Sequence, residues 1–398
     1  MSATPIQRSI DAVTRTRSGP RVLLDPWLLL ATLGLVVCSL VTLKGATRHD
    51  IAGQPNYFFE RQIGYAVVGL LLMALLARFD YSRLREFKLG IYGLLVALNV
   101  IVLALGGATR GSRRWIDLPF FQFQPSELGK VLLVVALAGF VVDRSRRLAE
   151  RETTARVMLL ALGPAALVMI QPDLGTALVY VALALSILFV AGTPGRQLGG
   201  LIGLFAVATV LVLVVAPAAG VHVLKPYQVQ RLTGFVHPSN DPSNATYQIN
   251  QSLIAIGSGE KVGRGVEHAT QTGLNFLPEH HTDFIFSVVG ETYGFAGAAL
   301  VLSLYALMIW RILRIITLAK NLFGALIAGG ILSMLTFQVF VNAGMTIGIM
   351  PITGVTLPLM SFGGASYLTT FLALGLLQSI HVQGRIAQGT KGRALILS

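Results

Sequence analysis

The sequence predicts an all-α polytopic membrane protein of about ten transmembrane helices, with one large extracytoplasmic loop between helices seven and eight. Three observations carry that expectation. Of 398 residues, 54% are hydrophobic and only 12% charged, and mean hydropathy is +0.70, which is far from the balance of a water-soluble chain. The apolar residues are gathered into runs long enough to span a bilayer. The basic residues behind the net charge of +13 fall in short clusters between those runs, as cytoplasmic loops require, and this speaks against a nucleic-acid partner.

In chain order, residues 1–26 form a polar tail with Arg8, Arg15, Arg17 and Arg21, and with no apolar core or cleavage site. We read it as a cytoplasmic tail, not a signal peptide. The membrane domain, 27–384, holds apolar runs near 27–44, 61–77, 89–107, 125–142, 156–171, 174–192, 197–218, 283–310, 322–343 and 358–382. The runs around Gln171 and Pro351 are the weakest, because glycine, proline and polar residues interrupt them. A second cytoplasmic tail, 385–398, closes the chain. With the N-terminus inside, 20 of the 31 Lys and Arg fall on cytoplasmic segments and 10 outside, and Lys130 lies within a span. This bias puts both termini in the cytoplasm. Cys38 is the one cysteine, so an intrachain disulfide is impossible and no thiol chemistry is implied.

Several motifs break the apolar pattern. The outer loop after the third run places Arg110, Arg113 and Arg114 where basic residues should be scarce, beside Trp115, so either a bound anion or lipid headgroups compensate them. Gln124-Pro125-Ser126-Glu127 opens the next helix, with Lys130 three residues beyond Glu127, which suits a pair inside the membrane. At Gln171-Pro172-Asp173-Leu174-Gly175-Thr176 an acid restarts a helix, either as its cap or facing an internal cavity near Lys130. The loop 219–282 is too short for an independent enzyme; residues 246–256 have amphipathic spacing, and the glycines after them allow close backbone approach to a ligand. Pro351 through Ser366 reads as non-helical backbone at membrane depth, hence a broken or re-entrant segment.

The densest chemistry lies at Leu277-Pro278-Glu279-His280-His281-Thr282-Asp283-Phe284, running on to Ser287 and Glu291. If helix begins near Thr282, Asp283, Ser287 and Glu291 share one face, with Thr282 as N-cap and Asp283 in the first turn. A carboxylate at a membrane boundary is a functional candidate. His280 and His281 are adjacent and so point apart on regular backbone, which leaves no preformed metal site to assign to them. The sequence also lacks a Walker A loop, a zinc-spaced His/Cys set and a nucleophile elbow.

Together, Gly111–Trp115, Gln124–Glu127, Gln171–Thr176, Tyr247–Gly259, Pro278–Phe286 and Pro351–Ser366 resemble the shape, elongation, division and sporulation (SEDS) family of peptidoglycan polymerases. The elongation branch fits better than the division branch at Gln124–Glu127 and Ala255–Gly259. Phe362 and Ala365 depart from the family, which tends to carry hydroxyls there. The resemblance implies a ten-helix protein of the bacterial cytoplasmic membrane. Its implied activity is a glycosyltransferase that polymerises lipid II, with undecaprenyl pyrophosphate leaving. A class B penicillin-binding protein is the implied partner and a divalent cation, Mg or Mn, the implied cofactor. The family's essential acid carries over to Asp283.

That chemistry needs one base and a cationic clamp. We expect Asp283 to be the base or a metal ligand. Arg61, Arg113, Arg114 and Lys225 are expected to hold the pyrophosphate, with Arg231, Gln251 and Ser252 completing the substrate site. Glu127, Lys130, Asp173 and Glu291 are expected to form a supporting polar interior. A lipid II flippase and a non-catalytic scaffold are the competing functions. Against transport, the ionisable groups concentrate near the outer face and no inverted repeat is evident.

Overall fold

A computed structural model describes residues 24–48, 50–51, 53–109, 112–117, 122–218 and 244–396. Its helices are α1 (Pro26–Ala46), α2 (Tyr57–Arg78), α3 (Lys88–Leu105), α4 (Pro125–Asp143), α5 (Arg151–Ile170), α6 (Leu174–Val190) and α7 (Gly195–Val210). Then come α8 (Asn244–Ser258), the single turn α9 (Thr270–Gly273), α10 (Ile285–Leu318), α11 (Leu322–Thr346) and α12 (Gly364–Ile396). Seven of these, α1, α2, α4, α5, α10, α11 and α12, are long and apolar enough to cross a membrane, and α3, α6 and α7 are shorter apolar helices at the remaining expected spans. The chain is therefore a mostly helical, multi-pass membrane protein. The expected start of the outer loop, 219–243, lies outside the described residues.

Local sequence sets the helix starts. Pro26 stands at the first turn of α1, where a missing N–H costs nothing, and Asp25 caps that helix by accepting from Trp27 N at 3.1 Å and Leu28 N at 2.9 Å. Pro125 plays the same part in α4. Helix α4 is the hub: it packs against α3, α6, α11 and α12, and most of it is buried. Around it α12 lies along α2, α10 along α1 and α11, and α6 between α5 and α11. Helix α7 fully buries none of its side chains, touching the core through Leu198 and Leu201, and its exposed Ile202, Leu204, Phe205 and Val207 suit lipid contact.

Two features depart from the expectation. The outer segment after α3 is not a plain loop but a three-stranded antiparallel sheet, β1 (Gly107–Thr109), β2 (Ser112–Asp117) and β3 (Gln122–Phe123), in that order. Trp115 pairs with Gly107, and Ile116 with Phe123. The β-branched and aromatic residues of β2 suit a strand, and the long apolar runs concealed so short a one.

The second departure is a break in α10 at Gly294, where φ is 64° and ψ −159°. A break in a spanning helix orphans backbone groups on both sides. Here residues 259–265, which follow α8, supply the partners. Glu291 O and Thr292 O accept from Arg264 N at 2.9 Å and Gly265 N at 3.0 Å, while Phe295 N and Ala296 N donate to Glu260 O at 2.9 Å and Lys261 O at 3.1 Å. The approach is so close that a Cβ on Gly259 would lie 1.8 Å from Gly290 O, and one on Gly294 2.4 Å from Gly263 N. Of the glycines expected to approach a ligand, Gly259 thus approaches a helix, while a Cβ on Gly257 would meet open space.

Candidate active site

Asp283 sits in a backbone turn, one residue ahead of the N-cap position of α10. The chain turns at Glu279, where φ is 54°, and Thr282 N, Asp283 N and Phe284 N converge on Glu279 O at 3.1, 3.1 and 3.3 Å. The helix begins at Ile285, with Phe284 at the cap position, so Thr282 is not the N-cap. Its hydroxyl instead reaches back to the Glu279 carboxylate at 3.1 Å. Ser287 and Glu291 share a helix face, and Asp283 is not part of it. Both helical residues are fully buried, while Asp283 stays half-buried.

The turn is clamped through its carbonyls. His281 O accepts from Phe362 N at 2.9 Å, Thr282 O from Ser361 Oγ at 2.6 Å, and Asp283 O from Asn342 Nδ2 at 2.9 Å. Asn342 also donates to Val355 O at 2.8 Å, and Leu357 N donates to Ser361 Oγ at 2.8 Å. The non-helical segment Pro351–Gly363 is thereby joined to the turn, and several of its carbonyls are taken up by side chains of the surrounding helices. Ser39 Oγ reaches Met360 O at 2.8 Å, Gln62 Nε2 reaches Ser361 O at 3.3 Å, and Tyr305 donates to Pro358 O. Irregular backbone at membrane depth is tolerated on those terms. Beneath the turn, Leu277 and Phe284 pack with Ile249, Met345 and Ile352 in a small apolar cluster separate from the main core. Asp283 is thus fixed in backbone position and half-buried.

The expected polar interior divides into separate devices. Lys130 and Glu127 form a buried pair at 2.7 Å. Asp173 is a buried N-cap, taking Thr176 N at 3.1 Å on one oxygen and Gln124 Nε2 at 2.8 Å on the other. Glu291 accepts from Gln271 N at 2.8 Å, Thr272 N at 3.0 Å and Thr272 Oγ1 at 2.6 Å, pinning α9 to α10. Its acceptors go to the first turn of α9, not to a substrate.

Among the expected clamp residues, the structure describes the side chains of Arg61 and Arg114. Arg61 is exposed on α2 and stacks on the Tyr57 ring at 4.5 Å. Arg114 is half-buried on β2; Arg113 lies in the same strand, with its side chain outside the described residues, as Arg110, Lys225 and Arg231 are altogether. Gln251 is half-buried on α8. Ser252 corrects the expectation: it is fully buried, and its hydroxyl is engaged by Ser287 Oγ at 2.6 Å and Thr346 O at 2.7 Å, so it joins α8 to α10 and α11 and does not face a substrate. Sequence reasoning assigned no role to Asn342, Ser361 or Asp50. A lone Asn or Ser in an apolar run carries no signal beyond being polar at membrane depth.

For a divalent cation, Asp283 offers one carboxylate. That fits a hard ion such as Mg²⁺, which takes one or two protein carboxylates and completes its shell with phosphate oxygens and water.

Comparisons with known proteins identify the chain's relatives. The family model for FtsW, RodA and SpoVE, described as "Cell cycle protein", matches residues 21–386. The chain is 38% identical over 366 residues to the peptidoglycan glycosyltransferase MrdB of Escherichia coli K12, covering 92% of this chain and 95% of that one. A chain from the structure described as "Structural coordination of polymerization and crosslinking by a peptidoglycan synthase complex" superposes with a TM-score of 0.76 at 34% identity, over 91% of this chain and 98% of that chain. The crystal structure of the rod shape determining protein RodA of Thermus thermophilus gives a TM-score of 0.65 at 32% identity, over 90% and 96%. With the family model spanning all but the two ends, this chain belongs to the FtsW, RodA and SpoVE family, the SEDS family its motifs resemble.

Proposed function

We propose that the chain is a peptidoglycan glycosyltransferase of the bacterial cytoplasmic membrane that polymerises lipid II during cell elongation. The observation that carries the reading is the placement of Asp283: a half-buried carboxylate on a turn clamped by Asn342, Ser361 and Phe362, at the outer end of a membrane bundle. It is joined by the relatives' own descriptions as peptidoglycan glycosyltransferases. In the reaction a sugar hydroxyl of one lipid II attacks the anomeric carbon of another; the new glycosidic bond forms as the bond to pyrophosphate breaks. Asp283 receives the hydroxyl proton or holds a Mg²⁺ or Mn²⁺ ion against the departing pyrophosphate. Arg61 and Arg114 are the described cations nearest in character to the required clamp, with Arg113, Lys225 and Arg231 completing it.

A class B penicillin-binding protein is the proposed partner, supported by the synthase complex whose chain this one resembles. Both termini are proposed to be cytoplasmic, from the distribution of Lys and Arg. The test is incubation of purified protein with labelled lipid II and a divalent cation, with and without the partner, followed by gel separation. A glycan ladder that is lost in Asp283→Asn, in a variant that elutes and melts like the parent, is the expected result. Lipid II recovered unchanged even with the partner present would overturn the polymerase reading in favour of transport or scaffolding.

A further inference from the structure

Asp50, His280 and His281 converge, although 230 positions separate the first from the second. Asp50 lies in the connection between α1 and α2, and the two histidines lie on the Asp283 turn. One ligand atom from each residue lies within 4.8 Å of the other two. The adjacent histidines do not diverge, because the turn at Glu279 replaces the regular backbone that would have separated them.

The details favour a cation over an ion pair. His280 is 5% exposed, and its Nδ1 lies 3.1 Å from Leu277 O. A carbonyl only accepts, so in the neutral ring that contact puts the proton on Nδ1 and the lone pair on Nε2, which is how metal-binding histidines are oriented. Nε2 lies 3.1 Å from Asp50 Oδ2, and neither atom has a hydrogen-bond partner, nor does Asp50 Oδ1, although all three are buried. Acceptors are therefore gathered in a buried space around His280 and Asp50 with no hydrogen bond between them, and such an arrangement is costly unless something positive joins them. Two ligands bonded to one tetrahedral zinc at about 2.0–2.1 Å stand roughly 3.3 Å apart. The distances of 3.1 Å, and of 3.9 Å from Asp50 Oδ2 to His281 Nδ1, bracket that separation. The Phe58 ring, 4.5 Å from that of His281, and the Phe362 ring, at 6.0 Å, add an apolar shell.

We infer that Asp50, His280 and His281 form a binding site for a zinc-class divalent ion, separate from any ion held at Asp283. Two imidazoles and one carboxylate are the donor set of a three-ligand zinc site that keeps a fourth position for water or an anionic oxygen, and they select against Mg²⁺, which demands oxygen donors. The ion would tie the α1–α2 connection to the turn that carries Asp283.

The test uses the full-length protein without a histidine tag, stripped with a chelator and dialysed against Zn²⁺ alone, with metal content measured by mass spectrometry. A parallel titration with Co²⁺ alone is read by visible absorption. One zinc per chain is expected, retained against excess Mg²⁺. Affinity should fall at least ~10-fold in both Asp50→Asn and His280→Ala. His280→Cys, which supplies another zinc ligand, should restore binding and guards against a mere folding defect. Asp283→Asn should keep its zinc while losing polymerisation, so failure of this site and failure of the polymerase reading are distinguishable. Equal zinc in parent and His280→Ala, or displacement of the zinc by Mg²⁺, would overturn the assignment.

Discussion

At the scale of single residues, the candidate site depends on buried groups that hold its backbone. Asn342 is fully buried, and its one amide nitrogen holds both Asp283 O and Val355 O. Asn342→Leu keeps the volume of the side chain and removes that donor, leaving two carbonyls without it in a dry environment. Each lost partner costs about 1–3 kcal/mol. We expect a lower thermal midpoint and a polymerisation rate that falls more than the folded fraction does, because the carboxylate is no longer held in register; a lower midpoint with unchanged rate in the folded fraction would show that Asn342 serves stability alone. Asp283 was legible in the sequence, since an acid beside two histidines at the edge of an apolar run stands out. Asn342 was not, because a lone amide names no partner until the turn and the Pro351–Gly363 segment are folded against it. Ser252 misled for a related reason: a hydroxyl in an amphipathic stretch looks the same whether it faces a ligand or, as here, Ser287 and Thr346.

At the scale of elements, the broken helix α10 is the feature the sequence concealed most completely. Its run is apolar on both sides of the break, and Gly294 is one of 42 glycines, so the residue itself carried no mark of the break. The docking of residues 259–265 into that break is what brings the end of α8 and the single turn α9 down onto the membrane domain. Gly259→Ala would set a Cβ 1.8 Å from Gly290 O, in backbone that cannot step aside without undoing the cross-bonds at 264, 265, 295 and 296. We expect it to lower stability by at least ~2 kcal/mol and to speed amide exchange in residues 259–273, while exchange in α4 and α6 stays as in the parent. Glu291→Gln keeps the shape of the pin but not its charge. An acceptor oxygen remains for one or two of the three donors, so the expected loss is smaller, about 1 kcal/mol, and confined to α9. Uniform exchange across the bundle in either variant would refute a local role for the break.

At the scale of the whole molecule, the division into apolar spans was readable because lipid imposes one rule along the entire chain, whereas the sheet β1–β3 and the contacts between distant segments follow from packing that no local window reports. The clearest such contact closes the other end of the bundle. Asp25 caps α1, and its carboxylate also takes Arg311 Nε from α10 at 3.1 Å and lies 3.5 Å from His381 Nδ1 of α12, while its backbone N–H donates to Gln378 Oε1 at 2.7 Å. Residues 286 and 353 positions apart are thus gathered on one buried acid. Burial pushes the Asp25 carboxyl up, but the Arg311 hydrogen bond, the Leu28 N–H, and the charges of Arg311 and His381 outweigh it and hold the group below its ordinary value. A carboxyl whose value is depressed by folding contributes stability that is complete above its unfolded value, about 3.9, and that is lost as pH falls through the folded one. Asp25→Asn retains an N-cap yet leaves Arg311 without its counter-charge, a loss of about 3 kcal/mol at neutral pH for a largely buried pair. The thermal midpoints of parent and variant should therefore differ most near neutrality, begin to converge as the pH falls below about 4, and meet only below the depressed folded value, where the native carboxyl takes up the proton that makes it, like the amide, uncharged. Parallel curves down to the acid limit would mean that Arg311 draws its compensation from another source and that the three helix ends are held together chiefly by their apolar contacts.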